Sequence, residues 1–397
     1  MMCARPGFVL LVALLVTACG EPPGRGLPLD GTAEPGAPLP GLTTDQLARF
    51  EAGRAWFDHE FTPEEGLGPL YNQTRCSSCH DLPTIGGYGA EPIPKASRWN
   101  PVSSQCEALD SRGGAIVVQR QVTEGYRAAG GMPENVPLGA THFAEFESLP
   151  TFGVGLIEAI EEDEIVGRAD PEDADGDGIS GRIVRDARGR LGRFGRRSVA
   201  DLREFIGGGM GLEMGMTSSV FPMENTIDGE PFPEGADPVP DPELSDSTLA
   251  LLVDFVRFLA LPAPEETTGA VADTILRGER AFFQAGCALC HVPTLRTGAN
   301  EVAALDRKVV WLWSDLLLHD MGPESESVCS GDAGLSEYRT TPLAGLGLRL
   351  TFMHSGEADD LDTSIGMHGG ESAASRNAYY RLEEADRAAL LRFLRSL

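Results

Sequence analysis

The sequence predicts a mainly α-helical chain built as two tandem domains of one design, the first enlarged by an insertion. Two observations predict it. The string Cys-x-x-Cys-His occurs twice, as Cys76-Ser77-Ser78-Cys79-His80 and as Cys287-Ala288-Leu289-Cys290-His291. Each copy is also bracketed by apolar stripes at helical spacing. Phe50-x-x-Gly53-x-x-x-Phe57 precedes the first copy, and Ile275-x-x-Gly278-x-x-x-Phe282 precedes the second. Each half closes on apolar residues at i, i+3, i+4 and i+7: Leu252, Phe255, Val256 and Leu259, then Leu390, Phe393, Leu394 and Leu397. Pro262 and Pro264 stop the first closing helix, which sets a first domain over 46–262 and a second over 263–397.

The N-terminus reads as an address. Arg5 precedes an apolar run from Phe8 to Val16, too short to span a bilayer but suited to the core of a signal peptide over 1–18. Val16-Thr17-Ala18-Cys19 resembles a bacterial lipobox. That implies cleavage before Cys19, lipid on its thiol, and a chain held at the bacterial cell envelope, facing the periplasm from the outer membrane. Residues 19–45, rich in Pro and Gly at their start, are expected to form a lipidated flexible tether.

The two Cys-x-x-Cys-His strings carry the chemistry. Two thiols at this spacing can add across both vinyl groups on one porphyrin edge, and the next residue then falls under the ring as an axial iron ligand. Cys76, Cys79, Cys287 and Cys290 are therefore expected to hold two covalent c-type haems, with His80 and His291 as proximal ligands. A structural zinc site would bring two Cys pairs close together, but these lie about two hundred residues apart and each has its own His. A thioredoxin-like pair needs no adjacent His and expects a βαβ setting. Helices bracketing such a motif, twice, read as cytochrome c-like domains.

The insertion holds Asp173-x-Asp175-x-Asp177-Gly178, which matches the start of a calcium loop. The Glu expected at the twelfth position is replaced by Val184, so closure would fall to backbone carbonyls or to Asp170 or Asp186. A solvated acidic turn is the plainer alternative. The stretch from Asp228 to Ser245, rich in Pro, Asp and Glu, is expected to be a surface loop.

Once lipid and haem have claimed their cysteines, and Cys3 has left with the signal, Cys106 and Cys329 remain, as one disulfide linking the halves or as two free thiols. The formal net charge is −28, with Lys95 and Lys308 the only lysines, so nucleic-acid binding is not expected. An acidic surface could steer a basic electron-donor protein, such as a small cytochrome or copper protein, or could serve solubility alone.

Further segments carry a resemblance. Gly66-Leu67-Gly68-Pro69-Leu70-Tyr71-Asn72, Phe152-Gly153-Val154-Gly155-Leu156-Ile157-Glu158-Ala159-Ile160 and the Asp173–Gly181 string are three of them. Asp315-Leu316-Leu317-Leu318-His319-Asp320-Met321-Gly322, Thr341-Pro342-Leu343-Ala344-Gly345-Leu346-Gly347 and Met367-His368-Gly369-Gly370-Glu371 are the others. With these the chain resembles the bacterial di-haem oxidoreductases, labelled peroxidase or thiol oxidoreductase, and more distantly the di-haem cytochrome c peroxidases and the MauG group. The resemblance covers about Gly53 to the C-terminus and implies a peroxidase-like oxidoreductase passing electrons between a donor and peroxide or another substrate. A pure electron-transfer cytochrome and a MauG-like oxidant of a partner protein are the alternatives. The thiol label has no support here, because haem consumes all four Cys-x-x-Cys thiols.

The peroxidases place a distal residue fourteen positions after the His of an F-x-H-x-G segment. Here Phe352-Met353-His354-Ser355-Gly356 starts the segment and His368 stands fourteen residues after His354. The resemblance thus implies His368 as distal residue of the second haem, with Met321 and Met367 as rivals, and Met214 as distal ligand of the first. It also implies Glu158 as the catalytic acid–base group near bound peroxide. Trp99, Trp311 and Trp313 are candidate electron relays, or core residues.

Overall fold

A computed structural model describes residues 30–107, 109, 117–196, 198–227 and 229–397. The expected signal segment 1–18 and Cys19 lie outside the described residues. Helix outweighs strand, and the fold is organised by two helix pairs. The helix Thr44–Phe57 starts on a reciprocal cap, Thr43 Oγ1 accepting from Gln46 N while Gln46 Oε1 accepts from Thr43 N. It packs against Asp246–Phe258, whose N-terminus is capped by Ser245. Gly53 lies at the crossing. A Cβ there would come within 2.0 Å of Leu251 O, so glycine alone permits this approach. Phe50 and Phe255 meet in a tilted contact at 5.2 Å, both fully buried.

The same arrangement recurs in the second half. Gly269–Gln284 packs on Glu384–Leu394, and a Cβ on Gly278 would come within 2.0 Å of Ala389 O. Ile275, Phe282, Leu390 and Phe393 fill that interface. The apolar stripes therefore face each other as their spacing predicts.

The insertion also holds a sheet that the sequence reading did not foresee. The strand Gly89–Asn100 lies between antiparallel partners, His142–Ser148 on one side and Gln105–Glu107 on the other. The helix Leu202–Met214, capped by Asp201, follows. The expected surface loop from Asp228 to Ser245 has no helix or strand among its described residues.

Two expectations are corrected. The tether over 19–45 is shorter than its Pro and Gly content suggests. Thr32–Ala33 pairs with Leu261–Pro262, Leu39 N donates to Phe258 O, and Leu39 is 2% exposed. Burying Leu39 against the end of the first closing helix fixes this part of the chain. The boundary at 262/263 separates the helix pairs but not the cores. Leu295, Leu305, Val310 and Leu312, which follow the second motif, are buried in the first core. Other ties cross the same boundary. Cys106 and Cys329 form a disulfide, Arg182 pairs with Glu337 at 2.5 Å, and Thr351 Oγ1 donates to Glu147.

Two attachment turns and their buried histidines

Each Cys-x-x-Cys-His string forms one short 3₁₀ turn, Cys76–Ser78 and Cys287–Leu289, that ends on the second cysteine. The histidine follows next in line. His80 Nδ1 faces Gly87 O at 3.2 Å and His291 Nδ1 faces Trp313 O at 3.0 Å. At His291 the carbonyl favours the tautomer with hydrogen on Nδ1 and leaves Nε2 with its lone pair, the form that ligates iron, while His80 meets the backbone of both Gly87 and Leu149. Burial lowers the pKa of both imidazoles, His291 to about 4, so each is neutral. The loop after the first turn folds back so tightly that a Cβ on Gly89 would lie 2.0 Å from Cys79 O. Behind the second turn, Trp313 itself holds φ +57, a strained conformation for a large residue.

The four motif thiols are not paired as disulfides. Burial pushes Cys76 and Cys287 up to about 12, and burial with the nearby Glu213 and Glu91 carboxylates does the same to Cys79. Reactive redox thiols have lowered pKa values, the opposite of the direction at Cys76, Cys79 and Cys287.

Among the expected distal residues, His368 is brought to the second turn. Its positive charge, were it present, would be felt at His291 and is among the causes that lower the latter's pKa. His368 is half-buried, its desolvation lowers its pKa, and its Nδ1 donates to Ser364 O at 2.8 Å. Its rival Met321 has its sulfur 3.9 Å from Ser372 Oγ, and Met367 packs in the second core. Met214 is 2% exposed at the end of its helix, in the core against which Cys76 packs. Its carbonyl accepts from Gly68 N.

The other histidines have different work. His59 pairs with Glu65, and His354 lies between Phe146 and Tyr338. In the sequence His319 stood out only as part of the Asp315–Gly322 segment. Its Nε2 meets Asp315 Oδ2 at 2.9 Å and its Nδ1 meets Glu371 Oε2 at 2.8 Å, all three side chains at most 10% exposed. Cys290 Sγ is 3.9 Å from the same Nδ1. Burial opposes a charged His319, but hydrogen bonds to Asp315, Cys290 and Glu371 outweigh it and raise the pKa to about 12. Both His319 nitrogens thus face carboxylates.

Glu158 Oε1 accepts from Leu202 N and its Oε2 from Arg257 Nε, both at 2.9 Å, so this carboxylate joins two helices. The calcium loop is corrected in part. Asp170, Asp173 and Asp175 bring oxygens within 4.8 Å of one another, but Asp177 is not among them, its Oδ1 accepting from Ile179 N. Asp186 is taken by Arg190. Trp311 and Trp313 lie 6.0 Å apart by the second turn, while Trp99 sits in the insertion sheet opposite Cys106.

The family described as "Di-haem oxidoreductase, putative peroxidase" matches residues 134–397, more than half of the chain. The chain belongs to this di-haem oxidoreductase family. Hydrazine synthase from Kuenenia stuttgartiensis has a similar structure at 15% identity and a TM-score of 0.40, covering 99% of this chain and 100% of that one. A MauG-like protein associated with microbial copper homeostasis gives 15% identity and 0.38, covering 94% of each chain. A variant of a diheme peroxidase from Burkholderia thailandensis gives 16% and 0.40, covering 94% of this chain and 90% of that one. No curated protein matches.

The residues present fit the two haems of a di-haem oxidoreductase. Besides thiols and free imidazole nitrogens, buried donors without a partner among the described residues stand near each turn. Trp311 Nε1 shares the second core with Cys287, and Arg349 Nε lies by Tyr88, next in the chain to Gly89. Such donors suit the anionic propionates of a haem.

Proposed function

We propose that this di-haem oxidoreductase is a peroxidase-type enzyme with two covalent c-type haems, one in each of two tandem cytochrome c-like domains. The observation that carries the reading is the pair of Cys-x-x-Cys-His turns, each ending in a half-buried neutral histidine whose Nδ1 faces a backbone carbonyl. A c-type haem supplies one-electron redox chemistry, and peroxide reactivity where its sixth position is open. Cys76, Cys79 and His80 would hold one haem, and Cys287, Cys290 and His291 the other. His368 would occupy the distal side of the second, where a neutral imidazole favours a low-potential, six-coordinate iron. The substrate position then falls to the first haem, whose distal candidate is Met214.

Met214 supports a second reading. If its buried thioether closes the first haem, both irons are six-coordinate and the protein is an electron carrier. The electron donor is read as a small basic cytochrome or copper protein attracted by the acidic surface. The chain is read as lipid-anchored through Cys19 at the periplasmic face of the outer membrane, and the Asp170, Asp173 and Asp175 group as a calcium loop.

Expression in a host that matures c-type cytochromes tests the core of this. Mass spectrometry of the denatured protein should show two haem additions, and electron paramagnetic resonance should show a high-spin haem alongside peroxide turnover. Two low-spin haems without turnover would select the carrier. A haem-free, zinc-loaded product would end the haem reading.

A further inference from the structure

We propose that Glu371 is a positioning residue for the second haem, tying the loop that carries His368 to the segment that orients His291 through His319 and Asp315. The inference rests on the reading of His291 and His368 as the ligands of that haem. The connection can be followed atom by atom. His291 Nδ1 is held by Trp313 O, and two residues on, Asp315 N donates to Cys290 O at 2.9 Å. Asp315 Oδ2 takes His319 Nε2, and His319 Nδ1 reaches Glu371 Oε2, three residues past His368.

Glu371 is held from two further sides. Asp320 N donates to its Oε1 at 3.0 Å, and Ser180 of the insertion gives Oε2 its backbone N–H and Oε1 its hydroxyl. The intervening turn has no slack. A Cβ on Gly370, at φ +49, would lie 2.2 Å from Asp320 O, and one on Gly369 would lie 2.7 Å from Met321 O. A buried histidine between two carboxylates is costly to break from either end, because one removed partner leaves a buried charge without its counterpart. The two sides of the haem pocket are therefore held at a fixed separation by an ionic strut. Iron–imidazole bonding needs such spacing to hold within fractions of an ångström.

The test uses the mature two-haem protein. Glu371→Gln should keep both covalent haems but lose low-spin signal from the second, raise its midpoint potential and let cyanide bind there. Ser180→Ala, a milder change, should do the same to a smaller extent and serves if Glu371→Gln fails to mature. Arg182→Gln breaks another ion pair between insertion and C-terminal half, and should lower the melting temperature with the spectrum unchanged. If Glu371→Gln or Ser180→Ala matures and behaves like Arg182→Gln, Glu371 is structural only and the proposal is overturned. His368→Ala separates the two levels. An unchanged spectrum there overturns the ligand reading and this inference together. A changed spectrum there, with none for Glu371→Gln, overturns this inference alone.

Discussion

At the scale of single residues, neutrality and charge are sorted by hydrogen-bond partner. His80, His291 and His368 each give Nδ1 to a backbone carbonyl and stay neutral, while His319 gives both nitrogens to carboxylates and stays charged. His368→Ala should therefore convert one haem to high spin and open it to cyanide, read by optical and paramagnetic resonance spectra. An unchanged spectrum would pass the role to Met321. The strut also sets a pH dependence. Burial tends to raise the pKa of Glu371, but its hydrogen bond to His319 prevails and lowers it from 4.5 to about 2. Its contribution is thus present above pH 4.5 and is lost as pH falls through about 2. His319, raised from 6.5 to about 12, contributes fully below pH 6.5 and loses that only toward strong alkali. Thermal melts between pH 5 and pH 2 should show the wild type losing stability more steeply than Glu371→Gln. Parallel curves would remove the linkage.

At the scale of elements, the two glycine crossings make the helix pairs. Gly278→Ala would place a methyl group 2.0 Å from the Ala389 carbonyl, where backbone must move rather than a flexible side chain. We expect a loss upwards of about 3 kcal/mol and a drop in haem incorporation at the second site. Denaturant melts with haem quantification check this, and a near-neutral variant would mean that the helices can slide apart at no cost. Both crossings were legible in the sequence, because Gly53 and Gly278 stand midway between apolar residues at matching offsets. The sheet around Gly89–Asn100 was not. Its central strand reads Gly-Ala-Glu-Pro-Ile-Pro-Lys-Ala-Ser-Arg-Trp-Asn, with two prolines and a bulge, and shows no alternation to announce a strand.

At the scale of the whole molecule, the cofactor chemistry was more legible than the pocket that tunes it. A contiguous string announces its own geometry, so the attachment turns could be read directly. The carbonyls of Gly87 and Trp313, and the partnership of Asp315, His319 and Glu371, depend on which segments meet in space. Nothing in the sequence set His319 apart until both its neighbours were seen. Glu158 looked catalytic because its segment resembled a family one, and only the packing of Leu202 and Arg257 showed both oxygens occupied. Charge acts at this scale too. With a net charge of −28, reduction by a basic donor protein should slow steeply between low and physiological salt. Stopped-flow rates against ionic strength measure it, and a flat or rising dependence would rule out a basic donor.

The bond between Cys106 and Cys329 has a topological consequence. It closes a ring of chain with a sequence separation of 223, which encloses the second attachment turn and leaves the first outside. A protease cut anywhere between those two cysteines would open the ring without dividing the molecule. The fragments would travel as one particle on a denaturing gel until a reductant was added. If the cut fell ahead of Cys287, the two Cys-x-x-Cys-His turns would then part company, each with the haem proposed for it. The chain can thus be cut between these cysteines and still keep its two Cys-x-x-Cys-His turns in one piece.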